Sequence, residues 1–304
     1  MHGQSIFLQQ IVNGLTIGMI YALIALGYTI VYGILQLINF AHGEVFMVGA
    51  YLGLLACTLL QAIPSGPVGV PLVITAVVLS MAGTAALGVV IERFAYRPLR
   101  NSSRLAPLIT AIGVSFLLQN AVMLIFGPSD KSFPEILKVR NYSFGAVTLT
   151  NLQILIAFTS LLLMILLHIF IKNTATGKAM RALADDSIAA NLVGVNSNRI
   201  ISMAFLIGSA LAGAGGVMFG MYYNTINFHD GYLIGLKAFT AAVLGGIGNV
   251  PGAMVGGLLI GILESLGAGY LSSEWKNVFA FFILILILLF RPSGLFGPRI
   301  MKKV

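Results

Sequence analysis

The sequence predicts an all-α polytopic membrane protein with about nine transmembrane segments, and three observations carry that expectation. Hydrophobic residues make up 58% of the 304-residue chain and charged residues only 9%, whereas a soluble domain carries about 25% charged residues. Mean hydropathy is +0.98, and the apolar residues are gathered into runs near the roughly 20 residues that a bilayer requires. The Lys and Arg residues lie in the short connections between those runs. The net charge of +8 therefore reads as a set of orientation signals and argues against a nucleic-acid footprint.

In chain order the segments fall at about residues 8–33, 40–62, 68–92, 105–127, 152–172, 200–223, 231–248, 251–271 and 276–290, and the pattern allows eight to ten. The seventh and ninth are the least typical. The seventh carries Lys237 and ends in Gly245, Gly246, Ile247 and Gly248, so a re-entrant or broken helix is the alternative to a full crossing there. Full crossing of 251–271 is also left open.

Orientation follows from three basic clusters. Arg93, Arg97, Arg100 and Arg104 follow the third segment, Lys172, Lys178, Arg181 and Arg199 bracket a polar stretch after the fifth, and Arg291, Arg299, Lys302 and Lys303 close the chain. Together they hold twelve of the seventeen Lys and Arg residues, and nine crossings put all three on one side. That side is the cytoplasm by the positive-inside rule, which sets the N-terminus outside and the C-terminus inside. The N-terminal stretch has no Lys or Arg before its first apolar run and no small-residue cleavage site after it, so it reads as a retained helix. Cys57 is the single cysteine, which excludes an intrachain disulfide.

The polar stretch from Lys172 to Val195 is the long interruption of the second half. Met180, Ala184, Ile188 and Leu192 recur every four residues with Leu183 beside them, while Lys178, Arg181 and Asp185 share another face, which predicts one short amphipathic helix. Thr174 and Thr176 are candidate N-caps, and Gly194 stands where a left-handed C-cap would close it. The surroundings read as a single transmembrane domain, 1–304, with this cytoplasmic loop, 173–199, inside it. Pattern alone leaves two uses open, a connector lying on lipid headgroups or a docking surface for another protein.

A short internal echo suggests an inverted repeat. Ile38, Asn39, Phe40, Ala41, His42 and Gly43 follow the first segment as Ile226, Asn227, Phe228, His229, Asp230 and Gly231 follow the sixth. Five crossings separate the copies, so they would face opposite sides of the membrane. Glu92 closing the third segment and Glu264 late in the eighth are a weaker match. Glycines spaced by four, Gly14 and Gly18, Gly49 and Gly53, Gly216 and Gly220, Gly252 and Gly256, Gly257 and Gly261, mark faces where helix backbones approach closely. The tightest packing is expected in the sixth to eighth segments.

The motif search finds no enzyme signature. Gly177 and Lys178 adjoin, but Ala179 stands where a Walker A loop needs Ser or Thr, and no HExxH, paired histidine ligands or nucleophile elbow occurs. No metal, cofactor or ATP site is expected in this chain. Ionisable groups at membrane depth cost about 2.5 to 3.5 kcal/mol on insertion, so the polar residues there are candidates for a translocation path: Asn39, His42, Glu44, Gln119, Asn120, Asn227, His229, Asp230 and Glu264. The alternative is that Glu44 and Asp230 cap the helices that follow them.

Four stretches, NGLTIGMIYALIALGYTIVYGILQLINFAHGE, IERFAYRPLR, GKAMRALADDSIAANLVGVN and KAFTAAVLGGIGNVPGAMVGGLLIG, closely resemble the LivH-type permease subunits of bacterial branched-chain amino acid ABC importers. Part of the resemblance extends to urea and amide importers. It implies an inner-membrane complex with a second homologous permease, two cytoplasmic ATPase subunits that hold the ATP and magnesium, and a periplasmic amino-acid-binding protein. Gly177, Lys178, Arg181, Ala184, Asp185, Ile188, Ala189, Leu192 and Gly194 would then form the coupling loop that an ATPase subunit grips, although the Glu-Ala-Ala opening usual in that loop is replaced by Arg181, Ala182, Leu183, Ala184 and Asp185. A urea or short-amide permease and a transporter working without partners are the rival functions.

Overall fold

The computed structural model describes residues 2–63, 66–100, 102–103, 105–145, 147–291 and 293–297. Among the described residues there are eleven α-helices: α1 (His2–Leu35), α2 (His42–Gln61), α3 (Val70–Ile91), α4 (Leu105–Phe126), α5 (Asn151–Asn173), α6 (Ala175–Asp185), α7 (Ser187–Leu192), α8 (Ser197–Tyr223), α9 (Asp230–Gly245), α10 (Val250–Tyr270) and α11 (Lys276–Phe290). Seven of them, α1 to α5, α8 and α10, are long and apolar enough to cross a membrane. The chain is a multi-pass, helical membrane protein. With 16 and 15 residues, α9 and α11 reach only about 24 and 22 Å at 1.5 Å per residue, short of a hydrocarbon core of about 30 Å. Arg104, Arg299, Lys302 and Lys303 of the basic clusters lie outside the described residues.

The interior is built on backbone-to-backbone helix crossings. Helix α1 runs against α10 and α8 against α3, while α1 also meets α8 and α2 meets α9. Residues 20–26 of α1 have no exposed surface at all. A Cβ on Gly14 would stand 2.6 Å from the Cα of Ile262, and one on Gly18 would stand 2.8 Å from the Cα of Leu258. Those distances are below any real contact. The predicted glycine pairs of α1 and α10 thus mate with each other, and Gly49 of α2 meets Gly213 of α8 in the same way. In contrast, α4, α5 and α11 expose long apolar side chains such as Phe116, Leu124, Phe158 and Phe290. These helices form the outer face.

Short strands appear where an all-α reading expected only loop. Asn141–Phe144 and Val147–Thr150 pair antiparallel as β2 and β3, a stretch of Tyr, Phe, Val and Thr that fits a pleated surface. Lys131–Ser132 (β1) pairs with Thr225–Ile226 (β4). This second pairing ties the long 127–150 connection to the chain just before α9.

The two Ile-Asn-Phe stretches adopt the same turn. Gln36 and Asn224, which occupy matching places two residues before each Ile, have φ of 51° and 56°, the only non-glycine positive values among the described residues. Asn39 Oδ1 then accepts the N–H of Ala41 (3.1 Å), as Asn227 Oδ1 accepts the N–H of His229 (2.8 Å). The next helix starts at His42 in one copy and at Asp230 in the other. Neither Glu44 nor Asp230 caps its helix through a side-chain bond, since neither α2 nor α9 has a side-chain cap. That expectation fails because the Asn side chain organises the turn instead.

The polar stretch is two helices, not one. Asp186 leaves the helical region (φ −152°, ψ 107°) and its carboxylate accepts the N–H groups of Ile188 (2.8 Å) and Ala189 (3.0 Å). An Asp-Asp-Ser run offers the backbone these side-chain partners, and the N-cap wins over continuation of α6. Thr174 caps α6 by accepting the N–H of Gly177 (3.0 Å), whereas Thr176 makes no capping bond. Gly194, at φ +91°, closes the element in the left-handed region as expected.

Candidate functional site

Polar residues at membrane depth gather in three places. The first is a pocket between α2, α4 and α9. Glu44, in the first turn of α2, is 1% exposed, and its Oε1 accepts the hydroxyl of Ser115 on α4 at 3.3 Å. Its Oε2 has no partner. The cavity that Glu44 borders is about 260 Å³ and is walled by Tyr28, Phe40, Ile112, Phe116, Gln119 and Phe239, among others. Gln119 Nε2 and His229 Nδ1 lie 2.6 Å apart and bridge α4 to the start of α9. Glycines make this approach possible: Gly231 and Gly235 of α9 lie directly against the first turn of α2, and a Cβ on Gly43 would stand 2.8 Å from the Cα of Gly235.

The second place is a cluster around Glu264 of α10. Its Oε1 accepts Lys237 Nζ of α9 at 2.7 Å, and its Oε2 accepts the hydroxyl of Tyr21 of α1 at 2.8 Å. Lys237 is 2% exposed and Glu264 3%, so each is buried and each is paired. These residues line a separate cavity of about 220 Å³ together with Asp130, Asn227 and Asp230. Asn227 donates its amide to Asp130, and its backbone N–H donates to Asp230 Oδ2 at 2.6 Å.

The third lies past the end of α3, where a π-helical turn (Glu92–Tyr96) and a 3₁₀ turn (Arg97–Leu99) follow. Glu92 has no exposed surface and accepts Arg97 (3.3 Å), Arg100 and the hydroxyl of Ser202 on α8 (2.6 Å). Tyr96 donates to Asn39 Oδ1 at 2.7 Å, which locks the first Ile-Asn-Phe turn to the same region. A π turn inside a helix often marks a functional position.

The expected path residues therefore divide. Glu44 and Gln119 line the first pocket, with exposed His229 bonded to Gln119 but not lining it, and Asn227, Asp230 and Glu264 line the second. Asn39 and His42 face neither cavity: Asn39 is bound to Tyr96, and His42 packs its ring edge-on against Tyr28 at 4.7 Å. Asn120 is exposed and bonded to its own helix at Phe116 O (2.7 Å). Reasoning from sequence missed Tyr21, Ser115 and Lys237 as members, and the ion pairs of Glu92. A Tyr inside an apolar run was the available signal for Tyr21, since a buried phenol needs a hydrogen-bond partner.

The loop residues are displayed unevenly. Gly177, Met180 and Leu183 are buried against the body, and Arg181 donates to the last carbonyls of α5, at Ile171 and Lys172, as a cation at a helix C-terminus should. Lys178, Asp185, Ala189 and Gly194 are exposed, and Ala184 is half-buried. On α7 the apolar Ile188 and Leu192 are 74% and 83% exposed. The four-residue stripe is thus split by the Asp186 break, half docked and half free.

Comparison with known proteins decides the family. Residues 10–288 match the family described as branched-chain amino acid transport system, permease component. The high-affinity branched-chain amino acid transport system permease protein BraD of Pseudomonas aeruginosa is 51% identical, with 98% of each chain covered. The corresponding protein LivH of Escherichia coli (strain K12) is 46% identical over the same shares. This chain belongs to that permease family. A more distant member, the permease protein LivM of Escherichia coli (strain K12), is 26% identical over 47% of this chain and 34% of its own length. No solved structure matches the permease.

Proposed function

We propose that this chain is the transmembrane permease subunit of an ABC importer that carries branched-chain, hydrophobic amino acids from a periplasmic binding protein across the bacterial inner membrane. It binds no ATP itself, and two cytoplasmic ATPase subunits supply the energy. A second, homologous permease completes the passage. The observation that carries this reading is the end-to-end identity of 46% and 51% to two permease proteins of high-affinity branched-chain amino acid transport systems. The existence of a shorter match to LivM supports a homologous partner.

Nine crossings, with the N-terminus outside and the C-terminus in the cytoplasm, place the α6–α7 loop beside the ATPases. The short α9 and α11 complete that count inside a protein environment, where backbone shorter than the bilayer is tolerated. The matching turns at Gln36 and Asn224, and the reciprocal packing of α1 on α10 and α8 on α3, support an inverted repeat of α1–α3 and α8–α10. In such architectures a solute route runs near the repeat interface, where both cavities lie. The docked half of the loop transmits displacement to α1, α5 and α8, while Ile188 and Leu192 offer the ATPase an apolar grip.

The test uses the assembled transporter. Replacing Ile188 and Leu192 with Asp places charges on the free half of the loop and leaves the docked half intact. The expected result is loss of ATPase copurification and of ATP-driven leucine uptake in proteoliposomes. Unchanged copurification with unchanged uptake would overturn the coupling role, and leucine accumulation by this chain alone without ATP would overturn the importer reading.

A further inference from the structure

Glu44, Glu92 and Glu264 are the three glutamates buried to 3% exposure or less among the described residues. Two of them meet cations supplied by their own chain: Arg97 and Arg100 at Glu92, and Lys237 at Glu264. Glu44 meets none. Its Oε1 has one long hydrogen bond from Ser115, its Oε2 has no partner, and no basic side chain among the described residues forms an ion pair with it.

A buried carboxylate is stable only when hydrogen bonds or an opposite charge compensate its lost hydration. The N-terminal turns of α2 and α9 converge beside Glu44 and offer a favourable field, yet no N–H donates to Oε2. Oε2 is closed off against Gly231, and the Glu44 side chain borders a cavity of about 260 Å³, far larger than the ~10–15 Å³ that a single water occupies. Its walls are aromatic and aliphatic, with Phe40, Ile112, Phe116 and Phe239, and Gln119 stands among them as a further polar group. One anionic point inside an apolar chamber is complementary to a molecule with one cationic point and a branched apolar tail.

We propose that this pocket is a substrate station in which Glu44 receives the α-ammonium group of a branched-chain amino acid. The ammonium pairs with the Glu44 carboxyl group where it borders the cavity, the aliphatic tail lies against Phe40, Ile112, Phe116 and Phe239, and the substrate carboxylate turns toward Gln119. Of the three buried glutamates Glu44 alone has no cation from its own chain, and the missing charge arrives with the cargo. The inference rests on the importer reading above, because the binding protein delivers the amino acid.

The experiment uses the complete transporter with its binding protein, reconstituted in phosphatidylcholine nanodiscs and in proteoliposomes. Photo-leucine, a diazirine analogue that keeps both charged groups, is irradiated and the labelled peptides are mapped by mass spectrometry. Labelling is expected within residues 112–119 or 232–239, suppressed by excess leucine but not by 4-methylpentanoate, which lacks the amine. Glu44→Gln should cut it at least tenfold while the subunits still copurify. Ile112→Trp, which fills the pocket from the outer helix, should abolish it by a second route if Glu44→Gln disturbs folding. Labelling confined to other regions, or unchanged in both variants, overturns the station. Labelling suppressed by added phosphatidylethanolamine and not by leucine assigns the pocket to a lipid headgroup and also overturns it. Wild-type leucine uptake is measured in parallel: uptake without pocket labelling defeats the station alone, whereas absent uptake defeats the importer reading.

Discussion

The turn at residues 36–44 and the turn at residues 224–231 have one backbone and two surroundings. In each, a non-glycine residue turns left-handed, an Asn side chain accepts the N–H two residues on, and a helix begins one residue later. The first is sealed inside: Asn39 is 5% exposed and held by the Tyr96 hydroxyl, and Glu44 is buried below it. The second opens at a cavity mouth, where half-buried Asn227 meets Asp130 and His229 is exposed. The contrast separates two kinds of information. Local sequence dictates the turn, and the neighbours dictate what the turn is for.

The place where the two turns touch gives the largest expected effect. Gly43 and Gly231 sit backbone to backbone, so a methyl group on either must separate α2 from α9: at position 43 it would stand 2.8 Å from Gly235 Cα, and at position 231 it would stand 3.0 Å from Glu44 Cα. Overpacking of this kind costs about 1 to 3 kcal/mol; at position 43 the obstacle is main chain, which cannot rotate away, and at position 231 it is the buried Glu44 carboxyl group together with its Cα. Gly43→Ala and Gly231→Ala should each lower the thermal midpoint of the purified complex, read by size-exclusion after heating. Gly113 on the outer helix α4 has nothing within 4 Å of a Cβ, so Gly113→Ala should raise the midpoint slightly, by about 0.5 to 1 kcal/mol of helix preference. Equal losses at all three positions would mean that the two turns do not meet as described.

A smaller effect should separate the sealed turn from the open one. Asn39→Ala removes the acceptor for Ala41 N–H and strands the buried Tyr96 hydroxyl, a loss of about 1 to 3 kcal/mol for an unsatisfied buried group. Asn227→Ala removes an equivalent bond beside solvent and should cost about 0.5 to 1.5 kcal/mol, the ordinary net value. Tyr96→Phe in the Asn39→Ala background should recover part of the first loss, because no polar group is then left unpaired. Equal costs for the two Asn variants, measured by the same heating assay, would erase the difference in surroundings.

These particulars also show what a reader of the bare sequence could see. Residue periodicity and hydropathy located the seven helices long and apolar enough to cross a membrane, α1–α5, α8 and α10, because burial in lipid acts on composition over some twenty positions, and they marked α9 and α11 as helical segments although these are too short to span alone. The matching Ile-Asn-Phe stretches were visible for the same local reason. The break at Asp186 was not read, since a four-residue apolar period was weighed without the competing Asp cap. Lys237 and Glu264 lie 27 positions apart on different helices, and their pairing is a property of packing. Likewise, that Glu44 lacks a cation while Glu92 and Glu264 have theirs follows from which helices adjoin, a fact that no spacing in the chain encodes.

The smallest expected effect tests the feature the two turns share most closely. Gln36 (φ 51°) and Asn224 (φ 56°) both occupy the left-handed region, which costs an L-residue roughly 1 to 2 kcal/mol unless it is Asn or Asp, whose short side chains bond locally there. Glycine carries no such penalty, although it is freer in the unfolded chain. Gln36→Gly should therefore stabilise the complex by up to about 1 kcal/mol, and Asn224→Gly should leave it nearly unchanged. The pair is informative because the backbone is held constant and only the residue's fitness for it differs. If Gln36→Gly destabilises as much as a core truncation, the Gln36 side chain is making contacts that the left-handed turn alone does not explain, and the two turns are alike in outline only.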